Sequence, residues 1–243
     1  MLSRNLLLEH YKEIFNQNSS SFNHAIITNE NAIEEGILLM GLNPSGNPFG
    51  ETPDDRESIE YYGEKGCHGK YWDPKHEMMG CYDKKCAYLD LLPIRDGNQD
   101  HIKKYNEEYN ELIGQLISET QDYIESLKPK LIIYANSLDF YWGCFGRKKQ
   151  TDDGFWMDYI FEKVGDKPLK GDKSCWPFYK IIGINPSGVN KQRSITELQG
   201  TFFLRYRQHK TKYGSVPINK KLTQEDIKVL VEWIDSVWAK SLL

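Results

Sequence analysis

The sequence predicts an α/β fold: three layers, α/β/α, around a mainly parallel four-stranded sheet. Two observations lead there. Four short apolar runs, Ile37–Leu42, Ala87–Leu92, Leu131–Ala135 and Lys180–Ile184, are each bounded by Gly, Pro, Asn or Asp, as strands covered on both faces are. Between the second and third runs, Tyr105, Tyr109, Leu112, Ile113, Leu116 and Ile117 recur at helical spacing, a strand–helix–strand unit that implies parallel strands and a right-handed crossover.

The elements follow in order. The N-terminal MLSRNLLLEHYKEIF carries charges inside its apolar part, which excludes a signal peptide and reads as an amphipathic helix. Ile37–Leu42 is the first core strand and ends in an Asn-Pro-Ser-Gly turn. Residues 47–80 are polar, irregular and rich in Gly, Tyr and charge, a long insertion of the kind that is functional or disordered. One helix is expected over Asp100–Ser126, ended by Pro129. Near the C-terminus, Thr223-Gln224-Glu225-Asp226 starts a helix like a capping box, and Ile227, Leu230, Val231, Ile234, Val237 and Trp238 give it one apolar stripe. No clear linker interrupts the chain, so residues 1–243 are expected to form a single domain.

Composition narrows the function classes. With 39% hydrophobic and 27% charged residues, the chain is of the globular, soluble type, and no apolar run reaches the roughly 18 residues that span a bilayer. Five cysteines without an export signal point to a reducing, cytoplasmic or nucleoid-associated setting. The net charge of −4 excludes nonspecific polyanion binding by the whole surface. From Lys191 to Lys221, however, eight cations stand against Glu197 alone. Such a segment is either a polyanion site or a solvated face.

The motif that asks for a reason is repeated. Gly41 to Gly46 reads GLNPSG after one apolar run, and Gly183 to Gly188 reads GINPSG after another. Neither is a phosphate loop of the G-x-x-x-x-G-K-[ST] or G-x-G-x-x-G kind. Proline fixes one φ, Ser and Gly expose backbone N–H groups, and the Asn amide can orient a water or grip an amide-like ligand. The plain alternative is a strand-to-helix turn capped by Asn. If both turns and Asp90 lie at carboxyl ends of parallel strands, they converge on one crevice.

In that order the motifs resemble the uracil-DNA glycosylase superfamily, nearest its mismatch-specific and single-strand-selective branches, over roughly Ile37 to Arg193. The resemblance implies a monomeric DNA glycosylase that hydrolyses the N-glycosidic bond of a flipped-out uracil or other deaminated base, in single- or double-stranded DNA, without a cofactor. It implies that Asn43 holds the attacking water, that Asp90 reads the base or activates the water, and that Asn185 stabilises the departing base. Gly41, Leu42, Pro44, Ser45, Phe49, Ser187 and Gly188 would bind the substrate, Phe49 by stacking. Lys191 and Arg193 would hold the DNA backbone. The chain departs from the pattern in having Asn43 and Asn185 where the fastest members carry Asp and His, and Asp90 where Asn is usual. It therefore implies a slow enzyme of altered base preference. The alternatives are a non-catalytic binder of nucleic acid or nucleobases, Asp90 as a structural partner of Arg95, and an unrelated hydrolase using Asp90. Cys67, His68, His76, Cys81 and Cys86 fall close together, but their spacing matches no standard zinc finger, so no metal is expected.

Overall fold

In the computed structural model, described for residues 3–28, 33–46, 48–49, 57–61, 72–135, 141–144, 157–165, 168–185, 193–206 and 217–241, the expected three layers are present. The helices are α1 (Arg4–Gln17), α2 (Asp73–Met79), α3 (Gln99–Glu108), α4 (Asn110–Leu127) and α5 (Gln224–Ser241). The strands are β1 (His24–Thr28), β2 (Ile37–Gly41), β3 (Glu57–Tyr61), β4 (Cys86–Asp90), β5 (Leu131–Tyr134), β6 (Gly143–Cys144), β7 (Tyr159–Lys163), β8 (Phe178–Ile184) and β9 (Phe202–Arg205).

Alternation along the strands separates two cores. Leu38, Met40, Leu89, Ile132, Tyr134 and Phe203 face α1, α3 and α4. Ile37, Leu39, Tyr88, Leu131, Ile133 and Leu204 face α2 and α5. Both faces of β2, β4 and β5 are fully buried, which is why these runs read as continuously apolar. Ser3 caps α1, its Oγ accepting from the Leu6 N–H at 3.2 Å. Lys128, at φ 47° and ψ 50°, closes α4 in the left-handed conformation.

The sheet is larger than the four strands expected. Its order is β4-β2-β5-β9-β8-β7-β6, the last strand only two residues long. Four adjacent strands, β4, β2, β5 and β9, are parallel. The fourth of them is not the expected one. The run Lys180–Ile184 belongs to β8, which is antiparallel to both β9 and β7. Adjacent parallel strands need a crossover, usually a helix, whereas antiparallel neighbours do not. No helix occurs between β8 and β9 among the described residues.

Two further expectations are corrected. The single helix over 100–126 is two helices, broken at Tyr109 (φ −128°, ψ 39°). The 47–80 insertion is not irregular throughout: β3 pairs in parallel with β1 in a separate two-stranded sheet, and α2 follows it. No helix among the described residues is long and apolar enough to cross a membrane.

Candidate functional site

The loops that leave β2 and β4 at the carboxyl edge are zipped together. The Leu91 and Leu92 amides donate to the Gly41 and Leu42 carbonyls at 3.2 and 2.8 Å, and the Asp96 and Gly97 amides to Pro44 and Gly46 at 2.9 and 3.0 Å. Arg95 Nη1 adds a bond to the Ser45 carbonyl at 3.2 Å. Gly46 turns at φ 149°, where a side chain is strained. Leu42 and Pro44 are buried in this junction, while Ser45 is exposed.

Asn43 lies at the centre of the zip. Its Nδ2 is within 3.1 Å of the Pro44 carbonyl, 3.1 Å of Ile94 and 2.9 Å of Asp96. Three carbonyl oxygens around one end of the amide fix that end as the NH2. Among the described residues no donor reaches Oδ1, so this oxygen is held in one orientation with its acceptor capacity open. Asp90, 5% exposed, ends β4 opposite Gly41. Its Oδ1 accepts from the Tyr88 hydroxyl at 2.9 Å, and Tyr88 is braced edge-on by Trp72 at 4.7 Å. Next to the zip, buried Asp96 accepts from the Tyr105 hydroxyl at 2.7 Å and the Asn98 amide at 2.7 Å. Burial first, and then this bond to Asp96, push the Tyr105 hydroxyl well above the usual tyrosine range.

Sequence reasoning missed the last residues of this edge because it did not recognise β9. Arg205 ends β9 beside Tyr134 of β5, and the Tyr206 amide donates to the Tyr134 carbonyl at 3.0 Å. The basic stretch therefore enters its richest part, Arg205, Arg207, Lys210 and Lys212, directly from a carboxyl end. Arg207 to Lys212 lie outside the described residues. The signal was the apolar run Phe202-Phe203-Leu204 inside a segment otherwise notable for its charge.

The second turn does not join the first. Because β8 is antiparallel, Asn185 extends past the amino end of β9, where its amide donates to the Asp158 carbonyl at 2.8 Å. From the strand registers, Asn185 and Asn43 stand about ten residue steps apart along the sheet, on the order of 30 Å. The expected convergence of Asn43, Asp90 and Asn185 on one crevice is thus corrected by strand direction. Ser187, Gly188 and Lys191 lie outside the described residues. Arg193 forms an ion pair with Asp122 on α4, and burial lowers its pKa.

Phe49 is also separate from Asn43 and Asp90. It is 48% exposed and stacks on Phe22, with ring centroids 5.1 Å apart. Together with Tyr109 these rings line a cavity of about 310 Å³ between the end of α1 and the α3–α4 break, and neither Asn43 nor Asp90 borders it.

Of the cysteine and histidine residues, Cys67 and His68 lie outside the described residues. His76 Nδ1 meets Asp83 at 3.0 Å. Cys86 is buried, and burial raises its thiol pKa far above the usual value. Cys81 is exposed. No group of three metal-binding side chains gathers among the described residues.

No family model, curated protein or solved structure matches this chain.

Proposed function

We propose that this protein binds a nucleic-acid strand across the carboxyl edge of β4, β2, β5 and β9, as a base- and phosphate-binding module without the two-turn catalytic pair. One observation carries the reading. In the order β4-β2-β5 the chain passes from β2 to β4 on one side and then back across β2 to β5 on the other, and ligands of open α/β sheets bind at the carboxyl side of such a switch point. At that edge lie the Asn43 amide, Asp90, and Arg205 leading into a run of cations. Cations would neutralise phosphates, and the open Oδ1 of Asn43 and the exposed turn around Ser45 would meet a base edge. The separation of Asn185 from Asn43 is what favours binding over hydrolysis.

A second reading, hydrolysis of an N-glycosidic bond, keeps one observation in its favour: the Asn43 NH2 is held by three carbonyls, which leaves its Oδ1 as the acceptor that a water would use. In that reading Asn43 positions the water and Asp90 takes its proton, and Asn185 has no part in the reaction.

One experiment addresses both. Fluorescence anisotropy with labelled single- and double-stranded oligonucleotides, repeated across salt concentration, should show affinity falling with salt by a log–log slope of roughly 0.7 per phosphate neutralised on a single strand. The slope should decrease in an Arg205→Gln, Arg207→Gln, Lys210→Gln variant. Absence of binding at low salt overturns the proposal. The same complexes, carrying uracil, hypoxanthine, xanthine or a thymine mismatch, are then assayed for base release. Release that disappears in Asn43→Ala establishes the second reading.

A further inference from the structure

A histidine at the strand-binding edge is held by a buried carboxylate. Asp96 closes the junction between the loops that leave β2 and β4, and α3 starts just after it. Its Oδ1 accepts from the Asn98 amide at 2.7 Å, and its Oδ2 from the Tyr105 hydroxyl at 2.7 Å. The second oxygen also meets His101 Nδ1 at 3.2 Å. The Asp96 side chain is 3% exposed and the imidazole 46%. Two closer donors already serve the carboxylate, so its burial is compensated without the histidine. The contact does more for His101, whose ring it orients.

That orientation has a chemical consequence. A carboxylate only accepts, which makes Nδ1 the donor and leaves Nε2 of the neutral ring as an acceptor. Nε2 points away from Asp96, in a side chain open to solvent, and among the described residues no hydrogen-bond partner reaches it. The main-chain carbonyl of the same Asp96 accepts from Asn43 Nδ2 at 2.9 Å. One residue therefore holds both Asn43, through its carbonyl, and His101, through its carboxylate. Each is a single hydrogen bond away from it, and each keeps one acceptor for a ligand.

From these features we infer that His101 is a general base that cleaves an RNA strand at this edge, with Asp96 as its positioning residue. The inference rests on the strand-binding reading and names its substrate class. Among the described residues no serine, threonine or cysteine side chain bonds to the His101 ring, so this base has no protein nucleophile beside it to activate. An RNA strand brings one, the 2′-hydroxyl next to each phosphate, and DNA does not. Nε2 takes the proton of the 2′-hydroxyl, the O2′–P bond forms as the P–O5′ bond breaks, and the departing O5′ takes a proton from water. The hydroxide left behind is neutralised by the imidazolium, which restores the base. The products are a 2′,3′-cyclic phosphate and a 5′-hydroxyl, with nothing oxidised or reduced.

Single-turnover cleavage by the full chain tests it, on a labelled single-stranded RNA, the same sequence as DNA, and the RNA with one 2′-deoxy sugar, with binding of each followed by anisotropy. Bound RNA should be cut, and mass spectrometry should find the cyclic phosphate. The DNA, and the linkage after the deoxy sugar, should stay intact. The rate at saturating protein should rise with pH as the imidazole loses its proton. In His101→Gln, at an exposed position, that rate should fall about 10²- to 10⁴-fold. Added imidazole should restore part of it in His101→Ala, which a purely structural role would not allow. Asp96→Asn should also slow cleavage, with no further loss in the double variant with His101→Gln. RNA that binds and is not cut overturns the cleavage and leaves the strand-binding reading standing, whereas no binding of either strand overturns both. Equal cutting by His101→Gln, or equal cutting of DNA, also overturns it.

Discussion

Gly41 and Asp90 are register partners at the carboxyl ends of β2 and β4, and the missing side chain of the first makes room for the carboxylate of the second. A Cβ at Gly41 would lie 2.0 Å from Asp90 Oδ1 and 2.5 Å from the Tyr88 hydroxyl. Both groups are buried and bonded to each other, so neither can swing away freely. Gly41→Ala is expected to cost about 1–3 kcal/mol through overpacking. In an Asp90→Ala background the same change should cost less, because the colliding oxygen is gone. Urea unfolding of the two single variants and the double variant measures that coupling.

Asn43 separates a structural from a catalytic role. Its amide NH2 serves the carbonyls of Pro44, Ile94 and Asp96. Asn43→Ala removes the donor shared by three acceptors and should destabilise by about 1–3 kcal/mol. Asn43→Asp retains the shape but turns an oxygen toward those carbonyls, with a charge that has no donor to meet. It should destabilise more than alanine does. The aspartate variant should unfold at lower urea and release no base. A gain of activity in Asn43→Asp would show that the amide is not committed to the loop junction.

Which parts of this architecture were legible depends on what hydrophobic pattern encodes. β2, β4 and β5 are buried on both faces and stood out as apolar runs. α5 stood out by its stripe and its Thr223–Asp226 start. Strand direction has no such signature. Lys180–Ile184 was recognisable as a strand, yet its pairing antiparallel to β9 carried Asn185 to the other edge. That single reversal dissolves the repeated-turn pocket. β9 itself, four residues long, was hidden within a basic segment. The break at Tyr109 was equally invisible, since α3 and α4 both continue the apolar spacing through it. Phe49 and Tyr109 both pack on Phe22 from distant parts of the chain, and periodicity reads only along it.

The start of α5 provides a prediction about pH. Asp226 Oδ2 accepts from the Thr223 amide at 2.7 Å, the Thr223 hydroxyl at 2.6 Å and Lys173 Nζ at 2.5 Å. Burial works to raise the Asp226 pKa, but these donors outweigh it and the net shift is downward. A carboxylate whose folded pKa lies below its unfolded value, about 3.9, adds stability that is present above that value. The contribution disappears as pH falls through the depressed folded value. Asp226→Asn should therefore be less stable than the parent at neutral pH, and the two should converge in acid, below the ordinary carboxylate range. Urea midpoints measured from pH 7 down to about pH 2 follow that convergence. A difference that stays constant over the whole range would show that Asp226 acts through packing and not through its charge. A matched loss in Lys173→Met at neutral pH, with no further loss in the double variant, would locate the effect in this one ion pair joining α5 to the Gly171–Cys175 turn.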